Sequence, residues 1–580
     1  MPKDWKALKA KRVDKTRQGP IDPPTSSPKE DKQSPQAQKD MTASGDEKAW
    51  KRIDYAHEDL PDSLSVREIP AKGRGLVAEQ SVTTGSTLLS TVPLVSVLDN
   101  YNLRRRCSTC YRTRQDTDDL RPLQQCSRCR VVQYCSNSCQ RLDWSLHKFE
   151  CKALRNMAEE AQKRGHAKCG HFVPDTPIRV IGRVLWRRQI EGDGFWDVMK
   201  SLSMPPRGER SPIDQRTLFA LFSGLTQYVG QTLMVDTCHE PFELIDLFSR
   251  FTSNSFSLTS PADLTNIGVS ISPVAALINH SCRPNAVVVF PKFPAGSTSS
   301  LATSADKKNM RVVAIRPIKR GEEILTSYVD LASPRDARQA DLLERYKFRC
   351  ECEVCESESV DPREAFQCTR ANCPGLLPIT DGPAKLKCSQ CGTLVKVSGV
   401  KAALEAAKSA FEEAERTQYS DPASSYVNVH SGIALLTSFS PRLPPSCHPL
   451  FQSYMLLFTL QLYRHEFDAA ARTSHEAWAG AKTVYPYGHP VRAVLAATIA
   501  RLACVPPDRA SAEDELEYWS DGGRLSGVNL LIEAVKECEV GFGSEDGGGL
   551  VGTELRALIR EQEEGMAMSG RVSRAQSGSA

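Results

Sequence analysis

The chain of 580 residues has no run of about twenty apolar residues and no apolar stretch behind its N-terminus. A transmembrane helix requires the first feature, and a secretory signal peptide requires the second. We therefore expect a soluble intracellular protein without a membrane span.

The chain also lacks an excess of positive charge, since 74 Lys and Arg residues face 70 Asp and Glu residues and leave a net charge of +4. A domain that binds nucleic acid through its phosphates is expected to be strongly basic. Local patches such as Arg104-Arg105-Arg106 are better explained as a solvated loop. We do not expect direct binding to nucleic acid.

Aromatic residues are almost absent from the first fifty positions, which are rich in Lys, Asp, Gln, Ser and Pro. Such a segment cannot bury enough apolar surface to offset the entropy lost on ordering, so we predict a disordered tail over residues 1–55. Its basic cluster of Lys6, Lys9, Lys11 and Arg12 is compatible with a nuclear import signal, but basic runs are common in tails and an ordinary basic tail is the better explanation.

Cysteine, in contrast, is abundant, with twenty residues. Disulfides are not expected in a reducing compartment, and pairs at C-x2-C spacing indicate metal thiolates. The first cluster offers eight ligands, enough for two tetrahedral zinc sites: Cys107, Cys110, Cys126, Cys129, Cys135, Cys139, His147 and Cys151. Its last two pairs have i and i+4 spacing, which places both side chains on one face of a helix.

Two further groups of cysteines follow. Cys350, Cys352 and Cys355 are only three ligands, so a tetrahedral zinc site needs a fourth from elsewhere. The last group resembles a zinc ribbon, with unpaired surface thiols as the alternative, and consists of Cys368, Cys373, Cys388 and Cys391.

The apolar pattern predicts both strands and helices. Short apolar runs broken by Gly and Pro predict strands within 64–98 and near 287–290 and 310–315. Apolar residues at helical spacing predict helices at 178–189, 218–229, 402–416, 451–463, 467–483 and 491–502. Small residues in the last helices indicate close helix pairs of the tetratricopeptide kind, although no strict period is present.

Four fragments occur in order along the chain, and together they are more specific than any one alone. They are Lys72-Gly73-Arg74-Gly75-Leu76, Asn279-His280-Ser281-Cys282-Arg283-Pro284-Asn285, Gly321-Glu322-Glu323-Ile324-Leu325-Thr326-Ser327-Tyr328, and Cys350-Glu351-Cys352-Glu353-Val354-Cys355. The ordered set resembles a SET domain, and the cysteine-rich insert after the first fragment resembles a MYND finger. The chain thus resembles the SET and MYND domain family of protein-lysine methyltransferases from about Leu64 to about Cys391.

The resemblance implies a ligand set for each zinc ion. In the finger the pairs interleave, with Cys107, Cys110, Cys135 and Cys139 on one ion and Cys126, Cys129, His147 and Cys151 on the other. Cys282 is the implied fourth ligand of the three-cysteine group, which ties that segment across the active site; a buried thiol is the alternative. Gln140 and Trp144, one helical turn apart, resemble the family's groove for proline-containing peptides, and Trp144 is equally compatible with the finger's core.

The resemblance also implies a site for S-adenosyl-L-methionine, with Tyr328 as the catalytic residue. The implied cofactor-binding residues are Lys72, Arg74, Asn254, Asn279, His280, Tyr328 and Phe348, and Phe256 and Tyr346 wall the substrate-lysine channel. Taken alone, Tyr328 follows an alternating apolar strand and is also compatible with a core position. Glu322 and Glu323 are expected to be turn and surface residues.

The expected fold class is α+β: a SET-domain β-fold with a helical insert, a zinc-binding MYND finger, a post-SET zinc segment and an all-helical tetratricopeptide-like C-terminal domain. The predicted divisions are a tail (1–55), the first part of the SET domain (56–105), the finger (106–152), the insert (153–253), the catalytic core (254–348), the post-SET and ribbon-like segment (349–400), the helical domain (401–567) and a disordered tail (568–580).

The resulting hypothesis is a protein-lysine N-methyltransferase that acts on histone or non-histone lysines. The alternative is a zinc-dependent interaction scaffold with weak or no methyltransferase activity. We expect a monomer in the nucleus and cytoplasm whose finger binds proline-containing peptides. The substrate protein, the degree of methylation, the oligomeric state and an inhibitory role of the helical domain are left open by the sequence.

Overall fold

The computed structural model describes residues 60–117, 121–163, 173–206, 208, 215–237, 241–294, 308–379, 385–396, 400–504 and 527–577. The tail predicted at 1–55, with its basic cluster, lies outside the described residues. Of the helices in these ranges, none combines the length and the apolar content needed to cross a membrane.

The strands of the described residues are short and fall into small sheets. They are β1 (Leu64–Ile69), β2 (Gly73–Ala78), β3 (Thr87–Thr91), β4 (Val95–Leu98), β5 (Gln124–Gln125), β6 (Gln133–Tyr134), β7 (Ser255–Thr259), β8 (Asn266–Ile271), β9 (Asn279–His280), β10 (Ala286–Val289), β11 (Met310–Ala314), β12 (Leu325–Thr326), β13 (Ala365–Gln367), β14 (Leu376–Pro378), β15 (Lys385–Lys387) and β16 (Leu394–Lys396).

The helices of the described residues lie mainly in the insert and the C-terminal region. They are α1 (Asn137–Lys163), α2 (Thr176–Glu191), α3 (Asp193–Ser201), α4 (Gln215–Val229), α5 (Gln231–Thr237), α6 (Pro241–Asn254), α7 (Arg335–Tyr346), α8 (Glu353–Glu356), α9 (Val400–Thr417), α10 (Pro422–Thr437), α11 (Leu450–Tyr463), α12 (Phe467–Val484), α13 (Pro490–Leu502), α14 (Gly527–Phe542) and α15 (Gly549–Ser577).

The β-fold consists of antiparallel sheets that share a core. β1 pairs with β2, β11 lies between β10 and β3, and β8 lies between β4 and β7. Every residue of β11 is buried, which fits its nearly continuous apolar run, because a strand covered on both faces has no need of alternating polar residues. The predicted strands at 287–290 and 310–315 correspond to β10 and β11.

One segment crosses another next to this core. β9 lies parallel to β12, with Asn279 opposite Leu325 and His280 opposite Thr326. The fully buried Asn285 fixes the crossing, since its side-chain amide donates to the Glu323 carbonyl over 2.7 Å and its Oδ1 accepts from the Leu325 N–H over 2.7 Å. This crossing brings Asn279 and His280 beside the segment that leads to Tyr328.

The finger and the helical insert share one core. β5, β6 and α1 form the finger, and buried residues of α1 and α2 pack in the same apolar cluster as those of β4 and β8. Helix α2 is buried along most of its length, from Ile178 to Trp186. The finger is therefore packed into the fold and is not a separate module on a linker.

Consecutive helices from α9 to α15 pack against one another, as the expectation of paired helices requires. The helical region also contacts the β-fold, because buried residues of α13, α14 and α15 share a core with β10 and β11. The Leu550 N–H donates to the Pro291 carbonyl over 2.8 Å, and the Ser544 N–H donates to the Gly85 carbonyl over 2.9 Å.

The predicted fold class is confirmed: strands and helices are mixed, the described residues contain four cysteine-rich clusters, and the C-terminal region is helical. Helix α15 continues to Ser577, ten residues into the segment 568–580 that we expected to be disordered. The residues from Gly549 to Ser577 contain no proline that would end the helix. The division of the chain into domains remains a prediction.

The contact between the helical region and the β-fold leads to a first prediction. Arg311 in β11 forms an ion pair with Asp546, which also lies 3.4 Å from Lys292. The change Asp546→Ala leaves the Arg311 guanidinium, only 10% exposed, without this carboxylate. We expect a loss of about 2 kcal/mol, below the ~3–5 kcal/mol for a fully buried pair because Asp546 itself is 20% exposed.

The measurement is the midpoint of thermal unfolding, which should fall by a few degrees. Glu554→Ala is the matched control, since the Arg501–Glu554 pair is 30% and 47% exposed and should matter little. Equal midpoints for the two variants would contradict the prediction.

Candidate active site and zinc centres

Four groups of four side chains bring their ligand atoms within 4.8 Å of one another in the described residues. The groups are Cys107, Cys110, Cys135 and Cys139; Cys126, Cys129, His147 and Cys151; Cys282, Cys350, Cys352 and Cys355; and Cys368, Cys373, Cys388 and Cys391. Three groups consist of four cysteines and one of three cysteines with a histidine, and both are donor sets that tetrahedral zinc takes in structural sites. The residues therefore fit zinc at all four positions.

The finger brings the ligands together through two tight turns and one helix. The Tyr111 N–H donates to the Cys107 carbonyl, and the Arg130 N–H donates to the Cys126 carbonyl, over 2.9 Å each. Tyr111 and Arg130 have φ values of 64° and 54°, the left-handed conformation that lets each loop turn back beneath its cysteine pair. The grouping alternates along the chain, as the resemblance to MYND fingers implies.

Glu150, a buried acidic residue that sequence analysis did not identify, contacts the histidine ligand His147 on the side away from the cysteines. His147 Nε2 lies 3.8 Å from Cys129 Sγ, and its Nδ1 lies 3.5 Å from Glu150 Oε2. Both side chains are completely buried. A carboxylate on the second ring nitrogen fixes the ring orientation of a metal-binding histidine.

Glu150 also joins the finger to the insert. Its carboxylate accepts from Arg183 in α2 and, over 3.1 Å, from the Tyr228 hydroxyl in α4. Burial by itself raises the pKa of Glu150, but the Arg183 guanidinium and His147 together hold it well below its usual value. The charged carboxylate is thus satisfied on all sides, as a buried charge must be.

The zinc centre of the post-SET segment lies directly beside the candidate active site. Cys282 comes from the crossing segment, and the other three cysteines follow helix α7. Cys282 Sγ lies 3.4 Å from His280 Nε2. The geometry of the metal site is therefore coupled to a residue that we expected to bind the cofactor.

Tyr328 occupies the centre of an aromatic group. Its hydroxyl donates to the Ile278 carbonyl over 2.6 Å, and its N–H donates to His280 Nδ1 over 3.0 Å. The ring centroid of Tyr346 lies 4.8 Å away and that of Phe348 lies 6.4 Å away. Burial raises the pKa of Tyr328 above its usual value, so the phenol stays neutral and remains a donor near pH 7.

Gly75 of the first fragment lets two chain segments approach closely. A side chain at Gly75 would meet Ile69 at 2.7 Å, the Asn279 amide nitrogen at 2.9 Å and Glu323 Oε1 at 3.0 Å. Asn279 Nδ2 donates to the Arg74 carbonyl over 3.1 Å and to Glu323 Oε1 over 2.8 Å.

Glu323 is the residue of the candidate site that sequence reasoning placed wrongly. Its side chain is only 15% exposed, and Oε2 lies 2.8 Å from Lys72 Nζ. The carboxylate therefore connects Lys72 and Asn279, two implied cofactor-binding residues, instead of facing solvent. We expected Glu323 to be a turn and surface residue because it follows the chain reversal at Gly321. The backbone after that turn instead pairs with β2, and this pairing directs the Glu323 side chain inward.

The remaining implied residues lie at the edge of this group. Arg74 donates to the Ser201 carbonyl, and the Asn254 amide donates to the Ser203 carbonyl over 2.7 Å, so both side chains contact the end of α3. Phe256 packs against the core of the insert, and in the part of the chain that the structure describes it forms no ring pair with Tyr328.

Comparison with known proteins agrees with this architecture. The family model of the SET domain matches residues 73–329. The chain is 29% identical over 387 residues to histone-lysine N-methyltransferase ASHR1 of Arabidopsis thaliana, covering 64% of this chain and 73% of that protein. It is 28% identical over 303 residues to human N-lysine methyltransferase SMYD2, covering 50% of this chain and 60% of that protein.

Another relative is the SET domain and MYND-type zinc finger protein 6 of Schizosaccharomyces pombe, 26% identical over 50% of this chain and 51% of that protein. The chain thus spans between half and two thirds of the length of these last two relatives. A solved structure, the SET domain of LSMT bound to lysine and AdoHcy, is 14% identical with a TM-score of 0.25 over 89% of this chain and 91% of the other. The SET match, the relatives and the four zinc-type clusters of the described residues lead to one conclusion: residues 73–329 match a SET domain, and the chain is similar to SET and MYND-type protein-lysine methyltransferases.

Proposed function

We propose that the protein transfers a methyl group from S-adenosyl-L-methionine to the side-chain amine of a lysine in a histone or another protein. The observation that carries the proposal is the Tyr328 hydroxyl, held 2.6 Å from the Ile278 carbonyl among the rings of Tyr346, Phe348 and His280. A neutral phenol among aromatic walls suits an amine that must lose its charge before it reacts.

The walls act on the substrate lysine by desolvation. A free lysine amine has a pKa of roughly 10.4, and transfer into an apolar channel lowers that value because the charged form loses its water. Tyr346 and Phe348 would exclude water from the amine, and the Tyr328 hydroxyl would orient its lone pair. The proton leaves to solvent before transfer, so no side chain has to act as general base.

The residues around Gly73 and Gly75 fit a cofactor that carries positive charge. The Glu323 carboxylate, the Asn279 side-chain oxygen and backbone carbonyls can accept from the cationic groups of the cofactor. Lys72, beside Glu323, can pair with the cofactor's carboxylate, and His280 and Phe348 supply an aromatic face. When bound, S-adenosyl-L-methionine supplies the methyl group on its sulfonium centre. Arg74 and Asn254 would line the same site from the insert side.

We further propose that the finger recruits partners and that the protein works in the nucleus and cytoplasm. Trp144 supports the docking role, because it is half-buried and the Arg128 guanidinium lies 5.6 Å from its ring centroid. A half-exposed indole next to a cation is a surface on which proline-containing peptides pack well. The substrate protein supplies the lysine, and we expect the enzyme to act as a monomer.

One observation favours the alternative of a zinc-dependent scaffold with weak or no activity. Arg74 and Asn254 are hydrogen-bonded to the carbonyls of Ser201 and Ser203, so their side chains are engaged within the chain. A scaffold would keep the zinc centres and the finger but would not need these side chains for a cofactor. Binding of S-adenosyl-L-methionine distinguishes the two functions.

The change Tyr328→Phe removes one hydroxyl and preserves the ring contacts. We expect methyl transfer to fall on the order of 100-fold, as for loss of one aligned donor in an active site, while the zinc content is unchanged. The assay follows labelled methyl from S-adenosyl-L-methionine into core histones and into proteins of a cell extract. Tyr463→Phe, at a tyrosine that is 74% exposed, is the control and should have normal activity.

Labelling of histones would rank them above cytosolic substrates, and labelling of extract proteins alone would reverse that order. Wild-type activity in Tyr328→Phe would refute the catalytic assignment. If the wild-type protein binds no S-adenosyl-L-methionine, the scaffold is the better account.

The change Gly75→Ala tests the close approach at the proposed cofactor site. The new Cβ would collide with Asn279 and Glu323, so we expect S-adenosyl-L-methionine binding to weaken at least about tenfold, a loss of about 1.4 kcal/mol. Gly194→Ala is the control, because nothing lies within 4 Å of a Cβ there and Gly194 lies in helix α3 with no positive φ. Isothermal titration with the cofactor measures both, and equal affinities would contradict the prediction.

Trp144→Ala tests the docking role of the finger. We expect it to weaken binding of a proline-containing peptide by about tenfold or more and to leave methylation of a free lysine peptide unchanged. Leu142→Ala is the control, since Leu142 lies on the same helix and is 46% exposed. Loss of both binding and activity would show that Trp144 supports the finger core and not a separate docking site.

A further inference from the structure

The chain bends at Tyr328 and continues through residues 330–332 to helix α7. The Ser327 hydroxyl donates to the Val329 carbonyl over 2.7 Å, a hydrogen bond that spans the bend from one side to the other. Val329 alone separates Tyr328 from the segment 330–332, and it takes part in this bond. A group that fixes the segment therefore also restricts where the Tyr328 backbone can lie.

Three side chains from other parts of the molecule hold the segment, and each of them bonds to a different residue of it. The bonds run from the Tyr485 hydroxyl to Asp330 Oδ1 (3.1 Å), from Gln452 Nε2 to the Ala332 carbonyl (3.1 Å) and from Arg363 Nε to the Leu331 carbonyl (2.5 Å). Gln452 belongs to α11, and Tyr485 follows the last residue of α12. The helical region therefore supplies two of these three anchors.

Apolar packing joins the same two parts of the molecule. One apolar cluster contains buried residues of α11 and α12 together with Leu331, which is 2% exposed. The residues of the candidate active site that pack against this cluster are Tyr328, Val329, Tyr346 and Phe348. The aromatic group around Tyr328 and the helical region thus share one core.

The ring of Tyr485 is itself held in place. Tyr485 is 6% exposed, its ring stacks on His489 with the centroids 4.5 Å apart, and the Phe451 ring makes an edge contact at 6.0 Å. The hydroxyl is thus directed at Asp330, whose Oδ1 also accepts from the Ala332 N–H over 2.9 Å. One carboxylate oxygen consequently joins the helical region to the backbone of the segment.

We propose that Tyr485 is a positioning residue for methyl transfer: its hydrogen bond to Asp330 holds the segment 330–332 and, through it, the Tyr328 hydroxyl in place. The inference rests on the proposed function, since it names a residue of the helical region on which that active site depends. Tyr485 acts through Asp330 and not on the substrate lysine. The helical region then contributes to the reaction itself and is more than a docking surface.

The first measurement is hydrogen exchange, read by mass spectrometry, on the whole zinc-loaded chain with the change Tyr485→Phe. This change removes one hydroxyl and keeps the ring contacts. Hydrogen-bonded amides within residues 325–333 are those of Tyr328, Ala332 and Ser333. We expect the peptide that covers 325–333 to exchange about 2- to 10-fold faster, the effect of losing one hydrogen bond, while peptides of α10 keep their rate.

The second measurement is the steady-state rate of methyl transfer to a lysine peptide. A displaced Tyr328 hydroxyl orients the amine poorly, so we expect kcat of Tyr485→Phe to fall on the order of tenfold. The KM for S-adenosyl-L-methionine should stay the same, because Glu323 and not the segment holds Lys72 and Asn279.

Tyr426→Phe is the matched control, since the Tyr426 hydroxyl also donates to a carboxylate over 3.1 Å, that of Glu466 within the helical region. It should leave the exchange of residues 325–333 and kcat at their wild-type values. Asp330→Asn keeps an acceptor oxygen and should be close to wild type, whereas Asp330→Ala should lower kcat at least as much as Tyr485→Phe. Adding Tyr485→Phe to Asp330→Ala should lower kcat no further, because both changes remove the same bond.

Unchanged exchange of residues 325–333 in Tyr485→Phe would overturn the proposal, and so would equally faster exchange throughout the chain, which indicates a general loss of stability. Faster exchange of this peptide with wild-type kcat would also overturn it, because the segment would then move without consequence for the reaction. If the wild-type protein transfers no methyl group, the proposed function fails, and the exchange result alone decides whether Tyr485 holds the segment.

Discussion

The candidate active site depends on one buried side chain, Asn285. Its amide and carbonyl oxygen bond to the backbone of Glu323 and Leu325, and these two bonds hold the segment 279–285 against the segment 321–328. Each buried amide group that loses its hydrogen-bond partner lowers the stability of the fold by about 1–3 kcal/mol. The two bonds of Asn285 therefore favour this crossing over other arrangements of the two segments. The contacts of the candidate site depend on this crossing. His280 accepts a hydrogen bond from the Tyr328 N–H, Asn279 donates to Glu323, and Cys282 lies beside the three cysteines that follow α7.

The metal ligands and the amphipathic helices could be predicted from the sequence, because both depend on the spacing of residues that lie close together in the chain. Pairs such as Cys126 and Cys129 fit a single turn, and the apolar residues at helical spacing near 451–463 predicted what became α11. Residues that become neighbours only through the fold could not be predicted in this way. Glu323 follows a glycine turn, and nothing in its local sequence reveals that Lys72, 251 positions earlier, will lie beside it.

The role of Glu150 was also not predicted, although its position in the sequence gives a weak indication of it. It lies three residues after His147 on the same helix, a spacing that allows contact, yet most such pairs are ordinary surface neighbours. Its role requires Arg183 and Tyr228, which come from two other helices, and only tertiary packing brings them together. The finger is consequently joined to the insert by a buried charged network, so a partner bound at Trp144 would act on a rigid part of the molecule.

The four zinc centres differ in how the charge of their thiolates is balanced. In the finger site with His147, the neutral imidazole reduces the net charge of the centre to −1, and the Glu150 carboxylate behind it is balanced by Arg183. In the ribbon-like site, three of the four cysteines are half-exposed, so water can screen the charge of the thiolates. The centre of Cys282 and the finger centre of Cys107 have neither advantage: all four ligands of each are thiolates, of which two are buried in the first and three in the second. What the structure shows at the centre of Cys282 is a backbone restraint: Gln339 bonds both the carbonyl and the N–H of Cys350 and so holds the loop that carries three of the four ligands.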